Sequence, residues 1–199
     1  MRRYIFWTMP YPLGIADVPV ASMIDIDEAR IIMANTNQSF AKTMVGRRAR
    51  LIQHYSRDNS GRLLLAAIAG NAGGDRWLTA YEDGGTSIQR FVAFIQQILN
   101  DIGPGVPGNR RCFMMDNLSA HHDALVQQMI NNAGHYLVYR APYWPQDGPI
   151  EYFFNYVEGI LMTERYEIHT PAQLEGHINH IFATTTNFVN WFNHCGFVL

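Results

Sequence analysis

Three carboxylates stand out by their setting. Asp27 closes the alternating stretch "VASMIDID" (20–27), Asp116 closes the apolar run "CFMMDN" (112–117), and Glu151 stands near the head of "PIEYFFNYVEGIL" (149–161). An aspartate at the end of a buried strand costs free energy unless it is paired, hydrogen-bonded or bound to a cation. Three such acids brought together form a hard oxygen site suited to Mg²⁺ or Mn²⁺. A first-turn position also keeps Glu151 ionised, because the positive end of the helix dipole favours the anion. Each acid has an ordinary structural account as well. Asp116-Asn117 would cap a turn, and Glu151 would complement the dipole. Asp25 shares a face with Asp27 and is the alternative first ligand; the strand-end position favours Asp27.

The elements that must position these acids follow from pattern. In 20–27, Met23, Asp25 and Asp27 share one face and Ile24 and Ile26 the other, as in a strand. "ARLIQHYS" (49–56) reads as a second strand and "GRLLLAAIAGN" (61–71) as a third, buried on both faces; "RWLTAYED" (76–83) reads as an edge strand. A helix over 87–101 carries Ile88, Phe91, Val92, Ile95, Ile98 and Leu99 as one stripe, with Thr86 and Gln89 as a capping box. Gly103-Pro104 stops it. A strand over 110–117, a helix over 119–134 and a strand over 135–142 come next. Helices are then expected over 149–163, from Thr170-Pro171 with Leu174, Ile178 and Ile181 inward, and over 185–195. Hairpin strands followed by alternating helix and strand predict an α/β fold, a mixed sheet with helices on its faces. Chemistry in such sheets gathers at the carboxyl ends of the strands.

The 199 residues fit one unit without repeats or linkers, and a net charge of −2 announces no nucleic-acid partner. Cys112 and Cys195 lie 83 positions apart with no CxxC pair, which reads as two reduced thiols. The opening residues mimic a signal peptide, but Pro10, Pro12 and Asp17 interrupt the apolar stretch. The histidines lack zinc spacing, no Gly-rich phosphate loop leads into a helix, and Ser119 lacks a nucleophile-elbow setting.

"MMDNLSAHH" (114–122) followed by "YRAPYWPQDGPIEYFFNYVEGIL" (139–161) resembles the endonuclease domain of mariner-type transposases of the DDE superfamily. That family shows an Asp-Asn…His stretch and then Pro-Tyr-Ser-Pro-(Asp/Glu)-x-Asn-Pro-(Ile/Val)-Glu at the head of a helix. Here 34 residues separate Asp116 from Glu151, as is typical there, and Ile26-Asp27-Glu28 matches the strand that carries the first acid. The resemblance covers residues 20–165 and is most specific over 142–151. It departs at Trp144, where the family has serine, at Gly148, where it has asparagine, and at Gln146-Asp147.

The resemblance implies an RNase H-like, mixed five-stranded sheet flanked by helices. Asp27, Asp116 and Glu151 would be both catalytic residues and ligands of two divalent metal ions, Mg or Mn. The implied chemistry is DNA nicking and strand transfer, with DNA as partner and a homodimer on DNA as the assembly. Residues 1–19 read as an N-terminal remnant, 20–165 as the endonuclease domain and 166–199 as a helical extension packed on it. Family members place helix-turn-helix modules before the catalytic domain, and the chain is expected to lack them. The alternative is a catalytically silent module that binds DNA or protein. DNA chemistry implies the nucleus in a eukaryote and otherwise the cytoplasm.

Further residues are expected near DNA. Asn117 stands beside Asp116, and His121 falls where the family has histidine, with an exposed first-turn position as the plain reading. Within "KTMVGRRARLIQHYSRDNSGR" (42–62), Arg47, Arg48 and Arg50 are candidates for phosphate contact together with Lys42, Arg57 and Arg62. Glu28 alternates to the opposite face and reads as a surface or capping acid. Asn155 and Glu158 follow Glu151 on its helix face.

Overall fold

The computed structural model describes residues 1–33, 45, 47, 59–82, 84–118, 121–142, 144–164, 167–186 and 188–197. Five strands form one mixed sheet: β1 (Met23–Ile32), β2 (Gly61–Ala69), β3 (Arg76–Glu82), β4 (Cys112–Met115) and β5 (Tyr136–Tyr139). Their order is β3-β2-β1-β4-β5. β1 runs antiparallel to β2, and β2 to β3, whereas β1 with β4 and β4 with β5 are parallel. The hairpin half and the crossover half thus meet at β1, as the element order predicts.

Helices cover both faces. On one lie α2 (Ile88–Ile102) and α3 (Ala124–Asn132); on the other lie α1 (Arg2–Thr8), α4 (Pro149–Glu164), α5 (Pro171–Thr184) and α6 (Phe188–His194). β2 is buried along its whole length, with Leu64, Ala66 and Ile68 facing the α4 side and Leu65, Ala67 and Ala69 the α2 side. That accounts for its continuous apolar run. Phe153 is fully buried at the centre of the α4 side, where its ring meets those of Phe154, Phe182, Phe188 and Trp191.

Several boundaries differ from the sequence reading. β1 does not end at Asp27 but continues to Ile32, because β2 pairs with it as far as Ile32–Gly61. The cap of α2 is Ser87, whose side chain accepts from Arg90 N, in place of Thr86 with Gln89. Ile88 is exposed and Phe94 takes a place in the buried stripe. α3 starts at Ala124, after Asp123 caps it, rather than at Ser119. The strand expected over 49–56 lies outside the described residues.

Residues 1–19, read from sequence without any helix, contain α1, and Phe6 of α1 is buried in the core. Arg3 of this helix grips Asp147 with two hydrogen bonds, of 2.8 and 2.9 Å. Asp147 belongs to a short 3₁₀ turn (Pro145–Asp147) immediately ahead of α4. No helix among the described residues is long and apolar enough to cross a membrane, and both cysteines are buried and unbridged. Removing the aromatic hub by Phe153→Ala should destabilise the protein by about 3–5 kcal/mol, read from urea denaturation.

Candidate active site

Parallel pairing of β1 with β4 sets Ile26 beside Met115, so the next residues, Asp27 and Asp116, leave that pairing side by side. Strand alternation places both on the face of Met23, Asp25, Cys112 and Met114, the face that α4 covers. Glu151 lies in the first turn of α4. Asp116, Asn117, Leu118, Arg140, Ala141, Pro142, Trp144 and Glu151 line a cleft of about 370 Å³ at this end of the sheet.

Asp25 explains how α4 is aimed. The first turn of a helix leaves backbone N–H groups without intrahelical partners. Pro149 has none to offer, and the next, of Ile150, donates to Asp25 Oδ2 at 3.0 Å. Asp25 is fully buried. It therefore serves as a remote cap, one strand away from the helix it caps, a role that its reading as the alternative first ligand did not include.

Arg140, which the sequence reading passed over, follows β5 and is itself buried. Its Nη2 lies 2.5 Å from Asp27 Oδ2 and its Nη1 lies 3.3 Å from Asp25 Oδ2. The other oxygen of Asp27 accepts from the Glu28 N–H at 2.8 Å. A buried guanidinium without anions would be strongly disfavoured, and two buried carboxylates without a cation equally so. Their mutual contact is what allows all three to leave water.

His121 is buried, not exposed, and precedes the helix rather than standing in its first turn. Its Nε2 lies 2.9 Å from Glu28 Oε2. Its Nδ1 lies 2.6 Å from Asp116 Oδ1, a close charge contact without hydrogen-bond alignment. Phe91 packs against the ring. Glu28 is thus not a surface acid: it reaches from the α2 face of β1 to hold His121. Asn117 donates to the Arg140 carbonyl at 2.5 Å, which fixes the turn after β4 against the end of β5.

The charges act on one another. Burial raises the Asp27 carboxyl above its usual range, Arg140 opposes this, and Asp116 adds to the rise. Burial and then Asp27 raise Glu151, with Arg140 again opposing. Asp25 is lifted to about 7, chiefly by burial, against the pull of Arg140 and the Ile150 N–H. Asp116 goes the other way: burial would raise it, but His121, the Leu118 N–H and Arg140 together hold it below the carboxylate range. Burial lowers His121, yet Asp116 and Glu28 overcome that and lift it to about 9.

The donor set, three carboxylates whose charges repel, suits a hard divalent cation. Among the described residues, however, no three His, Cys, Asp or Glu groups stand close enough together to hold a metal ion. Arg140 takes Asp27 Oδ2, and Asp27 is not among the residues that line the cleft. Of the basic candidates, Arg47 is exposed, Lys42, Arg48, Arg50 and Arg57 lie outside the described residues, and Arg62 is buried. Arg62 binds Glu175 at 2.5 Å instead of facing solvent, so it is no candidate for phosphate. Asn155 is exposed on α4 and Glu158 partly buried.

His121 sets a pH dependence. A histidine raised from 6.5 to about 9 by folding contributes stability that is complete below pH 6.5 and lost as pH rises through 9. The thermal midpoint advantage of the unmodified protein over His121→Gln should therefore shrink across that window. A constant difference between the two proteins would contradict a charged His121.

No curated protein sequence matches the chain. Solved structures match its fold. The Mos1 mariner paired-end complex with Mn has a TM-score of 0.71 and 16% identity, covering 91% of this chain and 53% of that one. The Mos1 strand transfer complex gives 0.66 and 18%, covering 89% and 51%. The catalytic domain of Mos1 mariner transposase gives 0.63 and 14%, covering 91% of this chain and 78% of that one. The chain thus spans about half the length of the fuller Mos1 chains, and its five-stranded sheet with flanking helices is the RNase H-like fold of that catalytic domain. A family profile described as DDE superfamily endonuclease matches residues 22–174, well over half of the sequence, and the protein belongs to that family.

Proposed function

We propose that the protein is a mariner-type, metal-dependent DNA nuclease and strand transferase, with Asp27, Asp116 and Glu151 as its catalytic carboxylates. One observation carries this: Asp27 and Asp116 leave adjacent parallel strands side by side, on the face that α4, with Glu151 in its first turn, covers. Family membership and the Mos1 complexes, one with Mn and one with Mg, support a divalent metal. Two such ions, when bound by the three carboxylates, would stabilise the attacking and leaving oxygens of an in-line displacement at phosphorus.

The chain's own residues supply the rest. His121 keeps Asp116 ionised and oriented, and Asp25 holds the start of α4 and with it Glu151. Asn117 and Trp144 line the cleft where a DNA strand would lie. Water as attacker gives a nick; a DNA 3′-hydroxyl gives strand transfer. A homodimer on DNA is the assembly in keeping with the Mos1 paired-end complexes.

The Arg140–Asp27 contact favours a second reading, a silent DNA-binding module. The two readings part on one measurement. Purified protein should nick supercoiled plasmid when Mn²⁺ or Mg²⁺ is supplied, and Asp116→Ala should abolish nicking. Equal cutting by both proteins would rule out the proposed carboxylates, and DNA retention without metal-dependent cutting would establish the silent module.

A further inference from the structure

Trp144 is a large aromatic side chain left in the open. It is 43% exposed and forms part of the wall of the cleft of about 370 Å³. An indole is ordinarily buried over most of its area, so one held open in a cleft marks a contact surface. Its surroundings fix it there. The Arg3 guanidinium lies over the ring, 4.9 Å from its centroid. Arg3 is fixed in turn by both oxygens of Asp147, to which the Trp7 indole N–H also donates at 3.4 Å. The ring is thus braced by α1 and offered to the cleft, with little freedom left to lose on contact.

A second hollow, of about 180 Å³, adjoins the first, and Asn117, Arg140, Ala141 and Pro142 line both. Arg2 and Ile5 bring α1 into its wall. Arg2 is exposed and makes no side-chain hydrogen bond or ion pair among the described residues. Arg140, by contrast, is engaged by Asp25 and Asp27. The two hollows form one groove, with an aromatic ring in one compartment and a free cation in the other.

Charge selects the occupant. Asp116 and Glu151 line the compartment of the ring and disfavour a phosphate there. A flat neutral group suits that compartment, and an anion suits the compartment of Arg2. One nucleotide of a DNA strand carries both. We propose that the groove takes an unpaired nucleotide, its base stacked on Trp144 and a neighbouring phosphate on Arg2. The base must be out of its duplex, because a paired base is stacked on its neighbours. The amino-terminal helix is then part of the DNA-binding surface. This rests on the reading of the cleft as a DNA site and requires no metal ion.

The test is fluorescence anisotropy on the whole chain in EDTA with three labelled duplexes. One is fully paired, one carries an extra unpaired thymidine, and one carries an abasic residue in its place. The unmodified chain should bind the unpaired thymidine about tenfold more tightly than the other two. Trp144→Ala should erase that preference, and Trp144→Phe should keep most of it. Arg2→Gln should weaken all three duplexes alike and lower the slope of log affinity against log salt by about one. A merely structural defect would weaken base-bearing and abasic duplexes together. An intact preference in Trp144→Ala would therefore overturn the proposal, as would an unchanged salt slope in Arg2→Gln. Self-association lost in Trp144→Ala with the preference intact would also overturn it and give the ring to a second copy of the chain. Plasmid nicking separates the two levels. If no duplex is bound but plasmid is nicked, the groove proposal falls and the nuclease reading stands. If the Trp144-dependent preference is found and no metal supports nicking, the groove stands and the nuclease reading falls.

Discussion

The parallel pairing of β1 with β4 runs from Met23–Cys112 to Ile26–Met115, and the two strands then part with an aspartate on each. The cleft depends on that register. A shift of one residue would turn Asp27 and Asp116 to opposite faces, since side chains alternate along a strand. Register is secured by burial on both sides: Ile24, Ile26, Phe113 and Met115 face α2, while Met23, Cys112 and Met114 face α4. The core therefore positions both aspartates. β1 outlasts β4 by staying paired with β2, so Asp27 sits on a supported backbone, not on a loose strand end.

Gathering acids at one place is unfavourable, and the surroundings answer with two cations of different character. Arg140 is a permanent charge that offsets Asp25 and Asp27. His121 is a conditional one, shared by Glu28 of β1 and Asp116 at the end of β4. The result is asymmetric. Asp116 is held ionised, whereas Asp27 and Glu151 are pushed toward their neutral forms.

Much of this was legible in the sequence because it is local. The unbroken apolar run of 61–69, the Pro-Ile-Glu start of α4 and the Thr170-Pro171 start of α5 are short-range patterns, and each forms as read. Asp116 and Glu151 could be picked out by position at element ends, whereas Asp27 lies within β1, which runs on to Ile32. Pairings between distant residues could not be picked out. Arg140 meets Asp27 over 113 residues of chain and Arg62 meets Glu175 over the same span, so one arginine was overlooked and the other assigned to solvent. An arginine directly after an apolar strand, on the side where aspartates close other strands, was the available signal for Arg140. His121 was misjudged for a related reason: once α3 starts at Ala124 rather than Ser119, the histidine falls in the turn beneath Phe91.

The grip of Arg3 on Asp147 joins α1 to the turn from which α4 departs, and Arg3 also lies over the ring of Trp144. Trp144 lines the acidic cleft, and Glu151 stands four residues beyond Asp147. The amino-terminal helix is therefore tethered, through one forked arginine, to the turn from which the glutamate-bearing helix sets out, so the seating of residues 2–8 and the direction of that helix are fixed together.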